Sequence, residues 1–420
     1  MIAVAHILFL VHRLPYPPNK GDKVRSYHLL KHLCAQHQVH LGSFIDDPED
    51  AVHVPALQAL CTSVHAVPLN PRTAKLASLR GLLQGQALTL PFYRHAGMAA
   101  WVKQTLASQA IDGAVVFSSC MAQYTEAMDP QRVLVDFVDV DSAKWTDYAP
   151  EHRWPLSWLY RREGARLLTY ERAVAARACH SFFATAKEAA LFTAAAPEIA
   201  GRVSAINNGV DATFFSPDAG RASPFASDET AIVFTGAMDY WPNVDAVTWF
   251  AREALPTLRS RHPGLRFHIV GRSPTPAVQA LAGEAVNVTG TVPDVRPYLQ
   301  HAAVVVAPLR LARGIQNKVL EAMAMGRPVI AARACAEALL ARPGHDLAAA
   351  DGIPDYIHAV ETFLADPAQS EAVGSSGRAC VLVNYDWAAH LSGLDPFLAR
   401  LSSSHPIPTA AKRSSAGLTS

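Results

Sequence analysis

The chain lacks a dominant charge, a paired-cysteine pattern and a long apolar run, and each absence narrows the field. Lys plus Arg number 37 and Asp plus Glu 36, so no global field points to nucleic acid or an acidic polymer. The six cysteines are scattered with no C-x-x-C, which argues against a structural zinc site or a disulfide framework and suggests a reducing cytosol. No apolar stretch approaches the roughly 20 residues that would span a bilayer. The opening "MIAVAHILFLVHR" has a short apolar run, no basic segment before it and no small-residue cleavage site. It therefore reads as a buried first strand. The expectation is a cytoplasmic protein, soluble or peripheral on a membrane face. Neither G-x-G-x-x-G nor G-x-x-x-x-G-K-[ST] occurs, which weakens nicotinamide and ATPase readings.

What is present is a globular composition, 50% hydrophobic and 17% charged, in 420 residues, enough for two or three domains. Short apolar runs alternate with helical stretches. "HILFLV", "VHLGSF", "SVHAVPL", "GAVVF", "RVLVDFV", "SFFAT" and "RVSAINNGV" read as strands of a parallel sheet covered on both faces. Residues 211–230, rich in Ser, Pro, Asp and Gly, read as a linker. The alternation restarts with "AIVFTG", then "NVDAVTWFAREALPTLRSRH" as one helix, "RFHIVG", "VNVTG" and "AAVVVAPL". The fold class expected is α/β, with two tandem doubly wound Rossmann-like domains facing a cleft. The boundaries are 1–210, the linker, and 231–385. A helix over 386–401 is expected to pack back on the first domain, with a disordered tail over 402–420.

Ligands of open α/β sheets bind beyond the carboxyl ends of the strands, so the loops there carry the chemistry. "ARGIQNKVLEAMAMGRPVIAA", 312–332, opens a helix after a buried strand. A helix N-terminus suits a phosphate. Gly314 lets backbone come close to a ligand. Lys318 adds a point charge for a diphosphate, and Glu321 can accept two hydrogen bonds from a vicinal diol such as a ribose. The competing reading, a surface pair three residues apart, explains neither the loop glycine nor the placement after a strand.

Other strand ends offer further candidates. Arg272 in "FHIVGRSPTP" reads equally as a cation on a diphosphate or as a solvated arginine. "VTGTVPDVRPYL" carries a helix cap at Asp294. Gly21, at a loop-to-helix junction, serves either a close backbone approach or only the turn. Asp136, Asp139 and Asp141 follow "RVLVDFV". Carboxylates alone at this spacing are weak evidence for a metal, and none is assigned. Asp139 is a candidate for an acceptor hydroxyl, whereas Asp136 and Asp141 read better as turn and capping residues. Residues 142–177 interleave Arg/Lys with Trp and Tyr, which suits either a membrane interface or an amphipathic helix packed on the sheet.

Taken together, "PYPPNKGDKVRSYHLL", "VDFVDVDSAKW", "FTGAMDYWPNVDAV", "VTGTVPDVRPYL" and "NKVLEAMAMGRPVI" make the chain resemble glycosyltransferase family 4, of the GT-B fold. The particular likeness is to the sugar transferases of exopolysaccharide and exosortase loci. The resemblance implies a retaining, metal-independent hexosyltransferase without a cofactor. Its donor is a nucleotide-sugar and its acceptor a glycan or polyprenyl-linked molecule, with peripheral membrane contact and no nucleic acid. It further implies that Glu321 holds the nucleotide ribose, that amides at Asn317 and Lys318 hold the diphosphate, and that main chain near Val292 meets the base. Where the family usually has a second glutamate, this sequence has Arg313, which with Lys318 and Arg272 adds positive charge. A sugar-nucleotide epimerase and a non-catalytic nucleotide-sugar binder are the rival readings.

Overall fold

The computed structural model describes residues 4–18, 21–310 and 315–402, with the side chains of Glu151 and Ser402 excepted. Among the described residues, thirteen strands form two parallel sheets. The first holds β1 (His6–Val11), β2 (Gln38–Ile45), β3 (Ser63–Pro68), β4 (Gly113–Phe117), β5 (Val133–Val138), β6 (His180–Phe183) and β7 (Val203–Ala205). Its order is β3-β2-β1-β4-β5-β6-β7. The second holds β8 (Thr230–Thr235), β9 (Leu265–Val270), β10 (Val286–Gly290), β11 (Val304–Ala307), β12 (Val329–Ala332) and β13 (Ala348–Ala350), ordered β10-β9-β8-β11-β12-β13. Each sheet is doubly wound, and its order reverses beside its first strand, where the sheet leaves a crevice at the carboxyl end.

The strands read as unbroken apolar runs because both faces are covered. Ile7, Leu8, Phe9, Leu10 and Val11 of β1 are fully buried, as are Ile232, Val233 and Phe234 of β8. Residues up to Ile206 together with those from Leu391 on make one compact unit, and Asn207–His390 make the other. Within the first unit the C-terminal stretch is anchored by Asp395, 2.7 Å from His32 Nε2, and by Phe397, which packs on His180 and Phe182. Residues 211–229 form neither helix nor strand.

Two helices expected to be continuous are broken. The one after β8 runs Trp241–Trp249, widens to a π turn at Phe250–Ala254, and resumes over Leu255–Arg261. Pro256, which has no N–H to donate, sits in the first turn of the resumed helix. The C-terminal helix divides into Trp387–Leu391, a 3₁₀ turn at Ser392–Leu394, and Asp395–Ser402. Gly393 and Pro396 lie at that break. The tail from 403 lies outside the described residues.

Candidate functional site

In the second sheet the order reverses between β8 and β11, and the chain leaving both strands builds the site. Glycines end three neighbouring strands with positive φ: Gly236 after β8 at 154°, Gly271 after β9 at 155°, and Gly290 closing β10 at 67°. The first two are sterically required. A Cβ on Gly271 would lie 1.7 Å from the Gly236 carbonyl oxygen, and one on Gly236 would lie 2.8 Å from both Lys318 Nζ and Asn243 Nδ2. Beside them, Thr235 Oγ1 and Arg272 Nε are buried without a hydrogen-bond partner among the described residues. Orphaned polar atoms at the open end of a sheet mark a place where a polar ligand would complete the bonding.

The helix Asn317–Ala324 follows β11 and points its amino end at this edge. Gln316 caps it with extended backbone, and its side chain does not bond the N–H groups of the first turn. The N–H groups of Asn317 and Lys318 have no partner among the described residues. Val319, Leu320, Ala322, Met323 and Ala324 are buried, so one face of the helix is fixed in the core and its amino end cannot drift. Lys318 does not form the surface pair with Glu321. Its ammonium turns inward, donates to Asn243 Oδ1 at 2.5 Å and lies 4.1 Å from the centre of the Phe234 ring. Asn243 is itself fixed by donating to the Ala237 carbonyl at 2.8 Å.

The electrostatics of this pair are unusual. Burial lowers Lys318 to about 7, only partly opposed by Glu321. Burial likewise raises Glu321 to about 7, with Lys318 pulling the other way. The Glu321 carboxylate has no hydrogen bond or ion pair among the described residues. A cation in the first turn also opposes the helix dipole. An anion at the helix mouth would reverse both penalties on Lys318, and a diol would satisfy Glu321.

Lys318, Asn317, Glu321 and Arg272 thus lie around one switch point. Val292, half-buried, sits in the loop after β10 and packs on the core of this unit. Arg313 and Gly314 lie outside the described residues. Asp294 accepts from Arg296 N–H at 2.9 Å and grips the Arg296 guanidinium, so it closes the start of the next helix. Gly21 and Asp139 belong to the first unit. Gly21 begins the helix Gly21–Gln36, and a Cβ there would meet nothing within 4 Å, so packing does not demand glycine. Asp139 is held at 2.8 Å by Lys144, which also reaches Asp141 at 3.0 Å. Asp136 has other partners. It accepts from Val138 N–H, a turn role, and makes a buried ion pair with Arg25 at 2.8 and 3.2 Å. The three acids therefore do not converge.

Sequence reasoning missed Thr235, Gly236 and Asn243, the last of which meets a lysine more than 70 residues away. It also missed a polar cluster at the switch point of the first sheet. His12 and Arg13 leave β1 there. Arg13 lies 2.8 Å from both Asp22 and Asp46, and His12 Nε2 lies 3.4 Å from Asp22. Burial alone would raise Asp22, yet the His12 hydrogen bond and the charges of His12 and Arg13 hold it well below the usual carboxylate range. His12 Nδ1 and Asp46 Oδ1 are buried and unpartnered among the described residues. The signal available was a histidine and an arginine directly after the first strand.

Residues 229–366 match the family model described as glycosyl transferases group 1, so the second unit carries a domain of that type. No curated protein matches the chain. Among solved structures, sucrose-phosphate synthase from Thermosynechococcus elongatus is similar at 18% identity and a TM-score of 0.66, over 94% of this chain and 99% of that one. HepE from Anabaena, solved with UDP, is similar at 15% identity and a TM-score of 0.63, over 94% and 100%. A glycosyltransferase from Rickettsia africae is similar at 12% identity and a TM-score of 0.61, over 96% and 100%. The fold is GT-B.

Proposed function

We propose that the chain is a glycosyltransferase that moves a sugar from a nucleotide-sugar to a hydroxyl of a glycan or polyprenyl-linked acceptor. One observation carries the reading: a desolvated lysine and a carboxylate unpartnered among the described residues flank a helix N-terminus at a sheet switch point. All of these residues lie inside the group 1 match. HepE, which shares the fold, was solved with UDP, and that makes uracil the first base to test.

On this reading the amides of Asn317 and Lys318, with the side chains of Lys318 and Arg272, take the diphosphate. Glu321 accepts from both ribose hydroxyls. Main chain near Val292 meets the base. The bond from the anomeric carbon to the diphosphate breaks as the acceptor oxygen attacks. The departing diphosphate oxygen takes the acceptor's proton on the same face, which retains configuration without a protein nucleophile. Fixed positive charge around the leaving group lowers that barrier, and such stabilisation is often the largest catalytic term. The first unit holds the acceptor, through Asp139 and the His12–Arg13–Asp22–Asp46 cluster, with Gly21 allowing close approach. Exopolysaccharide or cell-surface glycan synthesis in the cytoplasm is the setting this chemistry fits.

The test is a thermal-shift screen against UDP-, GDP- and ADP-sugars, followed by assay of nucleoside diphosphate release with and without acceptor. A ligand at a hundred times its dissociation constant adds about 2.7 kcal/mol of stability, so the preferred donor stands out. Release that depends on acceptor, with the anomeric configuration kept, is the expected result. Donor turnover without acceptor would move the assignment to an epimerase. No shift with any sugar nucleotide would overturn the reading.

A further inference from the structure

The amino end of the first sheet holds a pocket that the His12–Arg13–Asp22–Asp46 cluster does not use. β3 is the edge strand there, and the helix Ala96–Ser108 packs on the face it shares with β2. Between the last turn of that helix and the first residues of β2 and β3 lies a pocket of about 260 Å³. Its lining includes His40, Ser63, Trp101, Gln104, Ser108 and Gln109. Ser63 opens β3 and His40 is the third residue of β2, whereas His12 and Arg13 follow the carboxyl end of β1. The six residues of β1 span about 20 Å, so the pocket and that cluster sit at opposite ends of the sheet.

The aromatic wall is held in place. Gly42 stands opposite His65 in the β2–β3 ladder. A Cβ on Gly42 would lie 2.7 Å from Trp101 Cζ3, so the missing side chain is what lets the indole reach the sheet. His65 stacks on that indole, with ring centroids 5.1 Å apart and planes 9° from parallel. The polar wall, by contrast, is left open. His40 is satisfied within the protein, by Ser63 Oγ at 2.9 Å and His6 Nδ1 at 3.3 Å. Thr62, Gln104, Ser108 and Gln109 are exposed, and their side chains make no hydrogen bond among the described residues.

This chemistry narrows the ligand. No Lys, Arg, Asp or Glu lines the pocket, and burial lowers His40 below the ordinary histidine value, so it is uncharged at pH 7. A phosphate would find no cation there, and the carbonyl end of a helix disfavours anions. An ammonium would find no carboxylate. Amides and hydroxyls beside an indole match a neutral ligand that has hydroxyl groups and an apolar C–H face. The volume lies just below the roughly 300 Å³ at which pockets for drug-sized ligands begin, which suits a single ring.

We propose that this pocket binds one neutral sugar ring of a glycan, stacked on Trp101 and hydrogen-bonded by Gln104, Ser108 and Gln109. A ring held there is an anchored unit and not the one that reacts, because the acceptor cluster lies at the other end of the sheet. The inference goes beyond the transferase reading and does not rest on it.

The test is saturation-transfer NMR of the full chain with methyl glycosides of glucose, galactose, mannose and N-acetylglucosamine, and with maltotriose, at millimolar concentration. Wild type is expected to bind at least one of them. Gln104→Ala/Ser108→Ala alters exposed side chains only, and should lower that affinity at least about fivefold with an unchanged unfolding midpoint. Trp101→Leu should abolish the signal. A hexose 6-phosphate should displace the bound glycoside less well than the free hexose. UDP affinity by calorimetry, measured beside these, reads the donor site separately, so either site can fail alone. Wild type that binds no glycoside, a double variant that binds like wild type, or a hexose 6-phosphate that competes as well as the free hexose would overturn the proposal.

Discussion

Exchanging Glu321 for glutamine removes one charge and preserves the shape of the site. Burial raises this carboxyl from 4.5 to about 7, so the folded protein holds its proton more tightly than the unfolded chain does. The sign follows from linkage. Below pH 4.5 the group is protonated in both states and costs nothing. As pH rises through 7 the folded state must carry a desolvated charge, and stability is lost. At 1.36 kcal/mol per pH unit the displacement amounts to about 3 kcal/mol at most. The side chain is only half-buried, so solvent screening reduces this to about 1–2 kcal/mol. Urea denaturation of wild type and Glu321→Gln across pH 4 to 8, without ligand, reads it directly. The two should match at the acid end, with the glutamine variant more stable by about 1–2 kcal/mol at pH 8. A difference that does not change with pH, or wild type more stable at pH 8, would refute the burial argument.

The remaining predictions concern other parts of the molecule. Lys318→Met should weaken nucleoside diphosphate binding yet stabilise the free protein below pH 7, because burial lowers Lys318 to about 7 and its charge is penalised only while protonated; that advantage should fade between pH 7 and 10, as followed by chemical denaturation. Gly236→Ala should cost about 1–3 kcal/mol and impair donor binding, since its Cβ would press on Lys318 and Asn243, as thermal unfolding and calorimetry would show. Asp136→Ala removes the carboxylate that neutralises buried Arg25 and should cost about 3–5 kcal/mol in urea. His12→Ala should lower kcat/KM for acceptor in steady-state assays while donor affinity stays unchanged.

Much of the architecture was legible because parallel strands buried on both faces read as unbroken apolar runs. β1, β4, β8 and β11 appear in the sequence nearly as they fold. The helix Asn317–Ala324 was legible from its cation, its carboxylate and its closing glycine. What stayed hidden depends on contacts between distant residues. Lys318 turning to Asn243, and Asp136 pairing with Arg25 across 111 positions, follow from which strand ends the topology places side by side. The π turn at Phe250–Ala254 was hidden for another reason: Pro256 signals a break, but not that the break is absorbed by a widened turn. Asp139, the candidate for an acceptor hydroxyl, is also held by Lys144, a local pair that five-residue spacing does not announce.

Calorimetric titration of UDP, GDP and ADP into wild type and Glu321→Ala tests the central claim most directly. One nucleoside diphosphate should bind wild type, and its affinity should fall by about tenfold or more when the ribose loses its carboxylate. Equal affinity for the two proteins, or no binding of any nucleotide to wild type, would contradict the account.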